Sequence, residues 1–280
     1  YFCGQVKYET TIASVSGHRL RQLGDQEINI VDIVKSVTKY AKLITDPETI
    51  KVELDSAVYL ATSGRPGPVW LDIPLDVQGA LIDERNLKSE DINNSPISVE
   101  DESMSIVVEE LCKAERPVLI AGHGIRISKA KEQFLELVDL LGIPVVTTFN
   151  GFDLIASNSD NFIGRIGTLG SRAGNFALQN ADLVICLGTR NNIRQVSYNW
   201  TSFARYAKRI IIDIDEAELH KKTVKGDILI HSDAKVFITK LLGSIPEDFS
   251  GAKSWLKWCI ARKEKYPVVL DEYKTPNDHY

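Results

Sequence analysis

Three short segments are rich in glycine, two of them with arginine, in the way that anion-binding turns are. The first is Ala121-Gly122-His123-Gly124-Ile125, which follows an apolar run ending at Ala121. Gly122 and Gly124 would let the main chain come close to a phosphate or a ribose, or would simply close a tight turn. The second is Gly164-Arg165-Ile166-Gly167-Thr168-Leu169-Gly170, with glycines at a spacing of three. Such a loop can lie flat against an extended ligand, the alternative being a flexible surface connection. The third is Gly188-Thr189-Arg190, followed by Arg194. A guanidinium fork matches the oxygens of a diphosphate, although arginines on loops are also often just solvated. Asp213 and Asp215 flank Ile214 and so point to one side of an extended chain, where they could bind a ribose or adenine edge or cap the next helix. Asp233 invites the same two readings.

The chemistry these residues offer is cofactor binding rather than catalysis. His18, His123, His220, His231 and His279 show neither metal-ligand spacing nor an adjacent partner, and there is no Gly-x-Ser-x-Gly. Cys3, Cys112, Cys186 and Cys259 lie far apart with no Cys-x-x-Cys, which argues against a zinc site or a disulfide framework. We therefore assign no metal ligand and no catalytic residue. A standard NAD fingerprint is also disfavoured, since Ile127 stands where the third glycine belongs and Thr147-Thr148-Phe149 where an acidic residue would end the second strand.

These turns need strands to hold them. Continuous apolar runs at 117–121, 143–148, 183–187, 209–214 and 227–230 read as buried strands, and they alternate with helical patterns at 105–113, 128–141, 171–180 and 234–242. Ser128 is the expected N-cap of the second helix, with Gly142 just past its end. The alternation implies a parallel sheet covered on both faces by right-handed crossovers, an α/β domain of Rossmann type. Upstream, a helix from Asp46 to Ala61 stops at Gly64-Arg65-Pro66-Gly67-Pro68 and precedes a buried strand, Val69 to Pro74. The polar stretch from Asp83 to Ser98, with Asn93-Asn94-Ser95-Pro96, suits an interdomain linker.

The 280 residues are 44% hydrophobic and 25% charged, ample for one large or two modest domains and unlike a disordered chain. A net charge of -5 supplies no field to hold a polyanion, so no nucleic acid partner is expected. No apolar run reaches the roughly eighteen residues of a membrane span, and Tyr1-Phe2-Cys3-Gly4-Gln5 has no signal-peptide character. The expectation is a cytoplasmic chain without membrane attachment. Both ends look cut, which suggests a piece of a longer protein.

Several motifs together resemble the thiamine diphosphate-dependent enzymes, most closely the acetolactate synthase large subunits. Gly4-Gln5-Val6, the Gln26-Glu27 pair spaced from Thr38-Lys39, and Gly64-Arg65-Pro66-Gly67-Pro68-Val69 running into Asp72-Ile73-Pro74-Leu75-Asp76-Val77-Gln78 are similar to the later part of the family's pyrimidine-binding domain. The remainder resembles its central domain. The resemblance implies a parallel-sheet, Rossmann-like central domain of the DHS-like NAD/FAD-binding type, preceded by part of a second α/β domain of the thiamine diphosphate-binding fold. Residues 1–82 would be the C-terminal part of the pyrimidine-binding domain, 83–97 a linker, 98–245 the central domain, and 246–280 a linker helix toward a diphosphate-binding domain.

Carried over residue by residue, the resemblance implies FAD contacts at Gly122, Gly124, Thr147, Gly167, Thr168, Leu169, Gly188, Arg190, Arg194, Asp213, Ile214 and Asp233, with Gln26 and Lys39 on the substrate side. It implies thiamine diphosphate and Mg2+ in a homodimeric or homotetrameric parent, and a 2-oxo acid substrate for a carboligase or decarboxylase. The family's activating glutamate would lie upstream of Tyr1, and neither Gly24-Asp25 nor Gly226-Asp227 is followed by the glycine of its metal motif. The chain alone is accordingly expected to be inactive. Alternatives are a non-catalytic domain that binds FAD or ADP and another thiamine diphosphate-dependent decarboxylase. Asp25 in place of the usual Phe, and Asn192 in place of an acid between the arginines, depart from the acetolactate synthase pattern.

Overall fold

The computed structural model describes residues 1–15, 20–89 and 97–274. His18, His279 and the Asn93-Asn94-Ser95-Pro96 stretch lie outside them. The chain divides into two compact units, Tyr1–Ser95 and Pro96–Tyr280, and the division falls inside the segment read as a linker.

The first unit is built on a three-stranded parallel sheet in which β3 (Val69–Pro74) lies between β1 (Phe2–Gln5) and β2 (Tyr40–Leu43). A short helix α1 (Ile30–Val34) starts at Asn29, whose side chain accepts from the Asp32 amide. Helix α2 (Ile50–Thr62) is entered through a 3-10 turn that Asp46 caps and Pro47 opens, and the backbone turns left-handed at Gly64 (φ 54°) beyond its end. Its apolar side packs Ile50, Leu54 and Ala57 against Ile44 and Leu71. Glu53 is also turned inward, where it accepts from the Tyr40 hydroxyl and the Lys42 ammonium. Helix α3 (Leu75–Gln78) follows β3 directly.

The second unit carries a six-stranded, all-parallel sheet. In chain order its elements are α4 (Asp101–Lys113), β4 (Pro117–Ala121), α5 (Gly124–Ile127), α6 (Lys131–Leu141), β5 (Val145–Thr147), β6 (Phe162–Arg165), α7 (Arg172–Asn180), β7 (Leu183–Leu187), α8 (Ile193–Val196), β8 (Lys208–Asp213), α9 (Glu216–Leu219), β9 (Ile228–His231), α10 (Ala234–Leu242) and α11 (Lys253–Lys265). The spatial order is β6-β5-β4-β7-β8-β9. All five residues of β4 and of β7 are buried, which is why these strands read as unbroken apolar runs. Leu119 and Ala121 join the core under α4, α6 and α10, while Val118 and Ile120 join the one under α7 and α11. The Rossmann-type α/β reading therefore holds.

Two local readings need correction. The sixth strand, β6, went unread because it is a four-residue edge strand with a glycine and an exposed arginine and no continuous apolar run. Gly164 consequently belongs to a strand, at φ 145°, where an added Cβ would lie 2.0 Å from Ser171 Oγ, and the glycine turn begins only at Ile166. Ser128 does not cap the 128–141 helix. A separate turn, α5, precedes it, Lys129 adopts φ 57°, and α6 starts after Ala130 without a side-chain cap. Its other end is as expected, with Gly142 left-handed at φ 56°. Helix α11 packs on α7 and β6, burying Trp255 and Cys259, and Trp255 Nε1 donates to the Pro117 carbonyl at 3.1 Å.

Candidate functional site

Strands β4, β5 and β6 follow one another in one direction across the sheet, and β7, β8 and β9 follow in the other. The reversal between β4 and β7 opens a crevice over their carboxyl ends, the place where open α/β sheets bind ligands. Both first and third turns lie there, and glycine lets them touch. The Gly122 amide donates to Leu187 O and the Gly124 amide to Gly188 O, each at 2.9 Å. A Cβ on Gly122 would sit 2.2 Å from Gly188 O, and one on Gly124 2.7 Å from Gly188 Cα. Gly188 itself has φ 60°. The close approach that these glycines permit is thus first of all between two protein turns.

The second turn joins the same cluster. At Gly167 (φ 99°) a Cβ would meet Arg194 O at 2.6 Å, and the Thr168 amide donates to that carbonyl at 3.1 Å. Asn175 of α7 clamps Gly167 from the other side, accepting from its amide at 3.0 Å and donating to its carbonyl at 3.1 Å. Thr168 and Leu169 remain exposed. The three turns picked out by composition are therefore one assembly.

Arg190 and Arg194 are exposed, and among the described residues neither guanidinium forms an ion pair. Asn192 caps α8 by accepting from the Arg194 amide at 2.9 Å. Arg165, at the carboxyl end of β6, is exposed and likewise without an ion pair. Its place in the glycine turn hid it as a candidate, and only the strand assignment brings it to this rim. Thr147 ends β5 with its Oγ1 buried and without a hydrogen-bond partner, an unspent polar group at the site's edge.

Asp213 ends β8 and accepts from the Asp215 amide at 3.0 Å, and the Ser232 amide donates to its carbonyl at 3.1 Å. Asp215 caps α9 and Asp233 caps α10, the latter accepting from Lys235 N at 2.7 Å, so the capping readings are realised for both. Ile214 offers its carbonyl to His231 Nε2 at 2.9 Å. Along the carboxyl edge of the sheet, the sequence candidates of this unit fall in an unbroken row from β6 to β9.

In the first unit Gln26 is exposed and left-handed, with φ 63°. Burial pushes the Glu27 carboxyl up, but amide donors from Ile12, Leu23 and Gly24 outweigh this and hold it below its ordinary value. The Glu27 carboxylate thereby ties down the loop that presents Gln26. Lys39 points its ammonium at Leu60 O (2.6 Å) and Ser63 O (3.0 Å) at the end of α2, and burial lowers its pKa.

A cavity of about 370 Å³ abuts the second turn, lined by Gly167, Thr168, Asn175, Gln195, Ser197 and Asn199 among others. A wider groove of about 1380 Å³ lies at the opposite, amino edge of the strands beside Arg116, Arg205 and Trp258. The turns, the unpaired arginines and the unspent hydroxyl are all at the carboxyl edge, and we place the site there. The amides of Gly122, Gly124, Gly167 and Gly188 are spent within the protein. The groups that fit an extended dinucleotide are therefore the exposed guanidinium groups, the Thr147 hydroxyl and the carboxylates at the ends of β8 and β9, which can accept from a ribose.

Residues 104–241 match the family described as thiamine pyrophosphate enzyme, central domain. The chain belongs to the thiamine diphosphate-dependent enzymes. It is 37% identical to the acetolactate synthase large subunit of Lactococcus lactis subsp. lactis over 258 residues, covering 91% of this chain and 43% of that protein. A probable acetolactate synthase large subunit of Methanocaldococcus jannaschii is 34% identical, covering 88% of this chain and 42% of its own length. The chloroplastic acetolactate synthase 2 of Nicotiana tabacum is 31% identical, with 90% and 38% covered. The chain thus spans about two fifths of the length of these relatives. No helix among the described residues is long and apolar enough to cross a membrane.

Proposed function

We propose that the chain is the cofactor-holding part of an acetolactate synthase-like enzyme, with residues 1–82 the end of its pyrimidine-binding domain and 98–245 a central domain that takes FAD. The observation that carries this reading is the convergence of three glycine turns with unpaired Arg190 and Arg194 at the sheet's switch point. Gly122, Gly124, Gly167 and Gly188 would set the floor, Thr168, Leu169 and Thr147 would meet the middle of the ligand, and the arginines would face its diphosphate. Asp213, Ile214 and Asp233 would lie along its adenosine side. Held there, FAD would stabilise the fold by mass action rather than enter the reaction.

In the parent enzyme thiamine diphosphate, held through Mg2+, supplies the carbon nucleophile that makes decarboxylation of a 2-oxo acid possible. The first unit would contribute orientation and exclusion of water. Glu27 fixes the loop that carries Gln26, and Lys39 is anchored on the carbonyls at the end of α2; both Gln26 and Lys39 would face the substrate. Since the Gly-Asp motifs here lack the following glycine, we assign metal binding to sequence beyond these residues and expect no turnover from them alone. A cytoplasmic homodimer or homotetramer is the assembly proposed for the parent.

The experiment is an absorption spectrum of the purified chain with thermal-shift titrations of FAD and of ADP. A flavin band, or a melting temperature that climbs with FAD, supports the acetolactate synthase branch. A response to ADP alone moves the chain to another branch, and indifference to both removes the cofactor assignment.

A further inference from the structure

The loop after β7 must send Arg190 and Arg194 outward, and the chain does this by turning one residue between them inward. Asn191 is left-handed (φ 46°), a conformation that asparagine tolerates better than most side chains, and it is only 2% exposed. Its side chain enters a closed polar ring. Thr189 Oγ1 donates to Gln195 Oε1 at 3.2 Å, Gln195 Nε2 donates to Asn191 Oδ1 at 3.0 Å, and the Asn191 backbone N–H donates back to Thr189 Oγ1 at 3.4 Å. The buried Cys186 thiol, one residue before the end of β7, neighbours Asn191. Gln195 then abuts Gly167, so the ring locks the third turn to the second. From the outer side, Lys221 donates to the Arg190 carbonyl and pairs with Glu218 at 2.7 Å.

We propose that Asn191 is a positioning residue: through the ring with Thr189 and Gln195 it latches the 188–195 loop so that Arg190 and Arg194 stand ready for an anionic ligand. The proposal rests on the dinucleotide reading of the site. A satisfied ring of buried polar groups specifies one loop geometry, whereas a loop held only by its termini would let two arginines share charge with solvent in many poses. Preorganisation of this kind shows as affinity without a direct contact between Asn191 and the ligand.

The test uses the 280-residue chain and four proteins: wild type, Asn191→Gly, Arg190→Ala and the double variant. Glycine accepts the left-handed backbone, so Asn191→Gly removes the latch without straining the fold. FAD affinity is measured by flavin fluorescence, and the loop is probed without ligand by the rate of trypsin cleavage after Arg190 and Arg194. Asn191→Gly should bind FAD about tenfold more weakly, the scale of one lost hydrogen bond, and be cut faster at both arginines. The double variant should bind less weakly than the two single effects together predict, because part of what Asn191 does is done through Arg190. Wild-type affinity and wild-type cleavage rates in Asn191→Gly would overturn the proposal, as would full additivity with Arg190→Ala. If the wild-type chain binds neither FAD nor ADP, the cofactor reading fails by itself. The trypsin rates then decide the latch alone, unchanged cleavage refuting it and faster cleavage supporting it.

Discussion

Replacing Gly122 by alanine puts a methyl group where the structure has backbone. The new Cβ would lie 2.2 Å from Gly188 O, 2.6 Å from Gly188 C and 2.6 Å from Thr189 Cβ, more than an ångström inside contact distance. None of these is the movable end of a side chain, so the turns after β4 and β7 must part, at the expense of the Gly122–Leu187 and Gly124–Gly188 hydrogen bonds. Overpacking of this kind costs about 2–3 kcal/mol, which lowers the melting temperature of a domain this size by about 4–12 °C. Gly142→Ala is the control. Its backbone is left-handed (φ 56°), which that of Gly122 is not, and an added Cβ meets nothing within 4 Å, so it should cost only about 1 kcal/mol. Circular dichroism melts of the two variants, followed by FAD titration, give the comparison. Gly122→Ala should melt lower and lose FAD binding, while Gly142→Ala keeps it. Equal melting shifts, or undiminished FAD binding by Gly122→Ala, would refute the claim that turn-to-turn backbone packing builds the site.

Thr147→Val should be neutral or stabilising by about 1 kcal/mol in the ligand-free chain, because it removes a buried hydroxyl that has no partner, and it should weaken FAD binding. A loss of ligand-free stability would show that the hydroxyl is already satisfied. In the first unit Asp72 is 2% exposed, with Oδ1 unpartnered and Oδ2 accepting from Gln5 Nε2 at 3.1 Å. Burial raises its pKa against the lowering effect of Gln5, so ionisation costs stability above the folded-state pKa, and the cost is relieved as pH falls through that value toward the unfolded one. Asp72→Asn should therefore raise neutral-pH stability by on the order of 1 kcal/mol and abolish this part of the pH dependence, as denaturant melts at several pH values would show. Trp255→Phe loses the bond to Pro117 O and leaves a gap under α11. Its second-unit melt should fall by about 1–2 kcal/mol, and an unchanged melt would mean that α11 is not integral to the unit.

Much of this arrangement was legible in the chain itself. Strands buried on both faces, such as Leu183–Leu187, announce themselves as apolar runs, and glycines that end them mark the carboxyl edge. β6 escaped because an edge strand of four residues has no such run. The Gly122 and Gly188 turns could be named from composition, but not their contact with each other, since that follows from strand order, and strand order is a long-range property. Asn175, Asn191 and Gln195 were missed for a similar reason. Their side chains act on backbone and on one another within the fold, and only the oddity of an asparagine inside the α7 pattern hinted at it. Asp215 and Asp233, read from sequence as either caps or ligand contacts, are caps in the structure, so whether the cofactor is held there is a ligand question.

That question has a direct measurement: a fluorescence titration of FAD into the wild-type chain and into the Arg190→Ala/Arg194→Ala variant, with the melting curve of each recorded alongside. Both arginines are exposed and without ion pairs among the described residues, so the variant should melt as the wild type does and yet bind FAD at least about tenfold more weakly, as loss of charge-assisted bonds to a diphosphate requires. Equal affinity in the two proteins would contradict the placement of the cofactor site at the carboxyl ends of β4 and β7.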